Sequence, residues 1–145
     1  NFNINEVIEE SVDGLQGSLG NHSVTMNIQQ DVVVHADKNR IEQVVSNFLS
    51  NALKYSPHAN EIVIKTELKE NALRVSVRDF GIGIPKDKSE YIFDRFFRVE
   101  ESSHLFSGLG LGLYISAEII DRHNGKIGVD SEENKGAEFW FELPL

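Results

Sequence analysis

The 145-residue sequence has no cysteine, which excludes disulfide stapling and thiolate metal sites and leaves its redox compartment undetermined. Proline is scarce, with three residues, and there is no repeat, low-complexity tract or internal linker. Basic residues are few: 14 lysines and arginines against 23 acids give a formal charge of −9, spread along the chain rather than held in a tail. Such a surface repels nucleic acid phosphates and anionic membranes, so no nucleic acid partner and no direct membrane contact are expected. Any anionic ligand has to be held by local basic residues and backbone amides. No apolar run approaches the roughly 20 residues that cross a bilayer, and the first residues, NFNINEVIEE, are neither basic nor signal-like. The chain starts without methionine inside what reads as ordered sequence, the expectation for a piece of a longer protein.

What the chain does have is 40% hydrophobic residues, enough for one core in a length too short for two ordinary domains. A single domain spanning residues 1–145 is expected. Ile4, Val7, Ile8, Val12 and Leu15 recur at helical spacing and predict a first helix from Phe2 to Leu15, broken by Gly14, Gly17 and Gly20. VTMNI alternates as a strand does, and the short run Val32 to Val34 follows. Asp37 is placed as the N-cap of a long helix that Pro57 ends. EIVIKTEL and ALRVSVRDF, separated by Lys69, Glu70 and Asn71, predict an antiparallel hairpin. A second strong helix, LYISAEIIDRH, is stopped by Asn124 and Gly125, and KIGVDSE and AEFWFELPL form the last hairpin. This order predicts an α+β fold, with helices on one face of a mostly antiparallel sheet.

Three stretches carry candidate chemistry. On the long helix, Ile41, Val44, Val45, Phe48 and Ala52 form the core stripe, and Asn47, Asn51 and Lys54 form a polar row beside it. Amide oxygens and an ammonium in a row suit magnesium polyphosphate, because magnesium prefers oxygen and takes few protein ligands. A solvated helix face is the plain alternative. VRDFGIGIP then sets Asp79 at a strand end before Gly81 and Gly83. A carboxylate only accepts hydrogen bonds, which suits an exocyclic amino group, and glycines let backbone approach a flat ring; the same residues also make an ordinary turn. Last, GLGLGLYIS lacks the lysine and hydroxyl of a P-loop, and its third glycine falls one residue early for a dinucleotide fingerprint, despite Asp130 about 20 residues on. A hinge remains open, as does a helix N-terminus whose amides favour phosphate.

The order of these signals is informative. Asparagines and lysine on a helix, then DFGIGIP, IFDRFFR, GLGLGL and KGAEFWFELP resemble the N, G1, F, G2 and G3 boxes of sensor histidine kinase catalytic domains. The resemblance runs from Phe2 to Leu145, and five motifs in order are far more specific than any one. It places the chain beside the gyrase, Hsp90 and MutL ATPase domains and implies their fold, a two-layer α/β sandwich of the Bergerat type with a mixed, mostly antiparallel sheet under about three helices.

The resemblance also implies roles. Asn51 would coordinate Mg2+ bridging the phosphates of ATP, with Asn47 nearby and Lys54 neutralising charge. Tyr55 would pack on the purine or ribose, Asp79 would bind the adenine amino group, and Gly81, Gly83 and Ile84 would shape the pocket. Phe93, Phe96 and Phe97 would anchor a mobile lid from about Pro85 to Ser107, either in the core or against ligand, with Arg95 or Arg98 reaching the γ-phosphate. Gly108, Leu109, Gly110, Leu111, Gly112 and Leu113 would offer amides to phosphate. Asn47 stands where the related ATPases carry a water-activating glutamate, and an amide cannot take that proton. Phosphoryl transfer mainly needs positioning and charge neutralisation, so the asparagine favours kinase over ATPase.

Two parts of the pattern are missing. None of His22, His35, His58, His104 and His123 stands before an acid on a dimerising hairpin, so each is read as a surface or turn residue. Ala137 replaces the usual hydroxyl of the last box, which removes a water-mediated adenine contact. The expected function is thus transfer of the ATP γ-phosphate to a histidine on a separate dimerisation domain of the same parent, with a response regulator downstream. The domain is expected to be cytoplasmic, whether or not the parent is membrane-anchored. The alternatives are a stand-alone ATPase and a nucleotide-sensing module without transfer.

Overall fold

Alternating burial along three neighbouring strands creates one apolar sheet face, and the helices are laid on it. A computed structural model describes residues 1–20, 22–28, 32–56, 61–85, 92–93, 109–132 and 134–145, with the backbone alone at 18 and 109–111. The chain opens with a two-residue strand, β1 (Phe2–Asn3), which pairs antiparallel with β3 (Val33–Val34). Phe2 and Asn3 therefore form a strand where the periodicity predicts helix. Asn3 instead caps helix α1 (Ile4–Gly14), its side-chain oxygen accepting the Asn5 amide at 3.0 Å. Its buried residues are Ile4, Val7, Ile8, Ser11 and Val12.

The main sheet has five strands in the order β2 (Ser23–Asn27), β4 (Glu61–Leu68), β5 (Ala72–Asp79), β7 (Gly136–Pro144) and β6 (Lys126–Glu132). Among the described strands, only the β2 and β4 pair is parallel. Period-two alternation puts Ile62, Ile64, Leu73, Val75, Val77, Phe139, Phe141 and Leu143 on the inner face, all buried. On the other face the Arg74 guanidinium lies 3.9 Å above the Trp140 ring and pairs with Glu142 at 2.8 Å. Gly128, opposite Trp140, leaves the space the indole occupies.

Helix α2 (Lys38–Tyr55) crosses the inner face between α1 and α3 (Leu109–Arg122). Asp37 caps it as predicted, accepting the Arg40 amide. The Phe48 ring seats α2 on the sheet, tilted against Phe139 at 5.5 Å and Phe141 at 6.0 Å between centroids. Asn124, at φ 59°, ends α3, and the Gly125 amide turns back to the Ile120 carbonyl. Among the described residues, three α-helices over a mixed five-stranded sheet make the two-layer sandwich expected from the sequence. Among the described residues no helix is long and apolar enough to cross a membrane.

Since Phe48 is fully buried between both layers, Phe48→Ala is expected to lower unfolding free energy by about 3–5 kcal/mol, seen as a lower denaturant midpoint at unchanged slope.

Candidate functional site

At the end of β5 the inner-face position falls to Asp79, and the strand delivers a carboxylate where its neighbours deliver valines. The side chain is 1% exposed. Its Oδ1 accepts the Gly81 amide at 3.0 Å and the Ala137 amide at 3.3 Å, while Oδ2, equally buried, accepts nothing from the described residues. Burial raises the Asp79 carboxyl above the usual carboxylate range, against the pull of the Gly81 and Ala137 amides and the Arg78 charge. A buried acceptor oxygen without a donor is costly unless something else supplies one.

The loop after Asp79 is pinned on both sides. A Cβ on Gly81 would strike the Tyr55 carbonyl, and the next amide, Ile82, donates to that carbonyl at 3.0 Å. Gly83, at φ 70°, lies against the Glu132 carbonyl at the end of β6. These glycines are thus required by close approach of protein backbone, a reason the turn pattern did not reveal. Ile84 is buried in the core, and its amide donates to Ser131 Oγ at 2.7 Å.

Because the loop docks on the end of α2, Asp79 is brought to the helix that carries Asn51. Asn51 is 7% exposed, and its Nδ2 has no partner among the described residues. Rotation of the amide by half a turn exchanges oxygen and nitrogen at no steric cost, so the same position can present an oxygen. One amide oxygen suits a cation that keeps most of its ligands as water and phosphate. No cluster of three or more His, Cys, Asp or Glu side chains suited to a metal occurs among the described residues. Lys54 is exposed, and Tyr55 is 3% exposed within the core cluster, where burial pushes its phenol above the ordinary range.

Asn47 is differently employed. Its Nδ2 donates to the Gly112 carbonyl at 3.0 Å and to Ser116 Oγ at 3.1 Å, stapling α2 to α3. With both amide hydrogens engaged, its oxygen is oriented by the fold, and a Cβ at position 112 would crowd that oxygen. The glycine run also begins the helix earlier than the pattern suggested. α3 starts at Leu109, so Gly110 and Gly112 are helical, and only the first turn has amides without intrahelical acceptors. Leu113 is fully buried one turn into the helix.

Phe93 meets Phe139 edge-on at 6.5 Å and Ile92 is fully buried, so the first part of the aromatic cluster packs on the core. Arg95, Phe96, Phe97, Arg98 and Gly108, and most of the lid segment, lie outside the described residues, as do His58 and His104. The other histidines stand in turns or at the edge, but with defined bonds: His22 Nε2 is 2.7 Å from the Ser56 carbonyl, and His123 Nε2 accepts the Asp37 amide at 3.0 Å. Sequence reasoning missed Ser131, whose only trace was its place opposite Ala137 in the last hairpin.

Residues 36–145 match the family of histidine kinase-, DNA gyrase B-, and HSP90-like ATPases, and the chain belongs to that family. It is 43% identical over 118 residues to the sensor histidine kinase WalK of Bacillus subtilis, a match covering 79% of this chain and 19% of that protein. It is 34% identical over 139 residues to the signal transduction histidine-protein kinase ArlS of Staphylococcus haemolyticus, covering 94% of this chain and 31% of the relative. The chain therefore spans less than a third of the length of these relatives. Among solved structures, the catalytic domain of histidine kinase ThkA superposes with a TM-score of 0.84 at 35% identity, covering 99% of this chain and 94% of that one. ThkA has also been solved in complex with the response regulator protein TrrA.

A carboxyl raised by burial binds its proton more readily in the folded than in the unfolded chain. Its contribution to stability therefore falls as pH rises from the ordinary carboxylate value to the raised one, and stays level above it. Unfolding free energies measured across pH should show this decline in the wild-type chain relative to Asp79→Asn, and identical pH profiles would contradict it.

Proposed function

We propose that the chain is the nucleotide-binding catalytic domain of a sensor histidine kinase, holding Mg-ATP and presenting its γ-phosphate to a histidine on a separate dimerisation domain. The observation that carries this reading is the Asp79 carboxylate, fully buried, anchored through one oxygen and bare at the other. Oδ2 accepts only, so it selects a ligand with a donor, and the adenine amino group is such a donor. Gly81, Gly83 and Ile84 fix the loop beside it, and Tyr55 closes the end of α2 under that loop. Asn51 supplies an oxygen for Mg2+, Lys54 and one of Arg95 and Arg98 supply positive charge, and the first-turn amides of α3 from Leu109 to Leu111 face the phosphates. Magnesium, when bound, neutralises phosphate charge.

Asn47 bears on the choice between transfer and hydrolysis. Its nitrogen is committed to Gly112 and Ser116, and an amide oxygen is no base at neutral pH, so the site has no group there to activate water. Alignment of phosphate with an external acceptor remains within its means. The similarity to WalK, ArlS and ThkA supports a phosphorelay role, with a response regulator as the downstream partner.

Mixing the chain with Mg-ATP and a separately supplied histidine hairpin is expected to yield acid-labile phosphohistidine, and Asp79→Asn to weaken nucleotide binding about 10- to 100-fold, the value of a hydrogen bond to a charged group. Steady hydrolysis without acceptor would favour a stand-alone ATPase, and tight binding with no transfer would favour a sensing module. In calorimetric titrations with and without magnesium, Asn51→Ala is expected to lose most of the gain in ADP affinity that magnesium gives; an unaltered gain would move the metal ligand elsewhere.

A further inference from the structure

The inner face of the sheet ends in a row with a polar side chain on each side of a small one: Asp79 on β5, Ala137 on β7 and Ser131 on β6, the last two being cross-strand partners. Ala137 is buried and contributes no hydroxyl, only its amide. Ser131 contributes a hydroxyl, and that hydroxyl is used twice. It accepts the Ile84 amide at 2.7 Å and donates to the Gly136 carbonyl at 3.0 Å.

Following these bonds leads back to the starting point. Asp79 Oδ1 accepts the Gly81 amide; the loop runs to Ile84; the Ile84 amide reaches Ser131; Ser131 reaches the Gly136 carbonyl; and the next amide, Ala137, returns to the same Asp79 oxygen. The ring has no slack at Gly136. That residue sits at φ 89°, and a Cβ there would strike the Asp79 carbonyl. Of the two side chains in the ring, Ser131 has its hydroxyl engaged twice and Asp79 its Oδ1, while Asp79 Oδ2 is buried without a partner among the described residues.

We propose that Ser131 is a positioning residue for base recognition: by closing this ring it fixes the direction in which Asp79 Oδ2 faces a nucleotide base, and so sets discrimination between purines with and without an exocyclic amino group. The proposal rests on the nucleotide-binding reading of Asp79. Without the Ser131 hydroxyl, the Ile84 amide and one side of the Gly136 carbonyl lose their partner, and of the bonds that tie the loop to the β6–β7 turn the one from the Asn134 amide to the Ile82 carbonyl at 2.6 Å is left. The carboxylate remains, but its orientation is set less sharply. An adenine ring, which meets Oδ2 through its amino group, feels that loss directly; a hypoxanthine ring, which presents a carbonyl oxygen in place of that amino group, has no such bond to lose.

The test is calorimetric titration of ADP and of inosine diphosphate into the wild-type chain, Ser131→Ala and Ser131→Thr, with thermal denaturation of each. The wild-type chain should prefer ADP. Ser131→Ala should lower that preference about threefold to tenfold, the range set by one or two neutral hydrogen bonds, through weaker ADP binding at unchanged inosine diphosphate affinity. Ser131→Thr keeps the hydroxyl and should restore the preference. If Ser131→Ala does not fold, Ser131→Cys keeps the volume with only a weak hydrogen-bonding group and should show the same loss. A lowered melting temperature with undiminished preference would make Ser131 merely structural and overturn this proposal alone. No preference in the wild-type chain would overturn the Asp79 reading and this proposal with it.

Discussion

One buried carboxylate constrains this structure more than any other group. Asp79 occupies an inner-face position that strand alternation reserves for apolar side chains, and it is kept there by two backbone amides from different parts of the chain. To supply them, the loop after β5 has to turn back at Gly81 and the start of β7 has to press against the Asp79 backbone at Gly136. Both approaches forbid a side chain. The glycines, the turn between β6 and β7 and the seat of the loop on Tyr55 all follow from the need to satisfy Oδ1 while leaving Oδ2 open.

Helix α2 converts that local arrangement into a site. Its apolar stripe, centred on Phe48, fixes its height above the sheet, and its polar row then falls at the edge of the core rather than in bulk water. Asn51 is nearly buried for this reason. Asn47 reaches across to Gly112 and Ser116, so the start of α3 is held to the same helix that receives the Asp79 loop. Three separate motifs are brought together by one helix, and the close approach at Gly112 depends on the absence of a Cβ there.

Much of this was legible in the sequence where the cause is local. Asp37 caps α2, Asn124 and Gly125 stop α3, and the strands flanking Lys69, Glu70 and Asn71 pair as a hairpin because each signal acts within a few residues. The two-layer architecture was legible as well, since alternating and helical periodicities declare which faces seek the core. What could not be read depends on what lies across space. The parallel pairing of β2 with β4, the staple from Asn47 to Gly112 and Ser116 and the ring through Ser131 join residues far apart in the chain. Asp79 was identified by its company of glycines, but the reason for those glycines was contact with Tyr55 and Glu132, which no turn pattern contains.

The central claim is that the bare oxygen of Asp79 reads the base of a bound nucleotide. A high-resolution structure of the chain with Mg-ADP tests it most directly. The account predicts the adenine amino nitrogen within hydrogen-bonding distance of Asp79 Oδ2, with Oδ1 still held by Gly81 and Ala137. A base bound elsewhere, or Oδ2 satisfied by the protein itself in that complex, would contradict it.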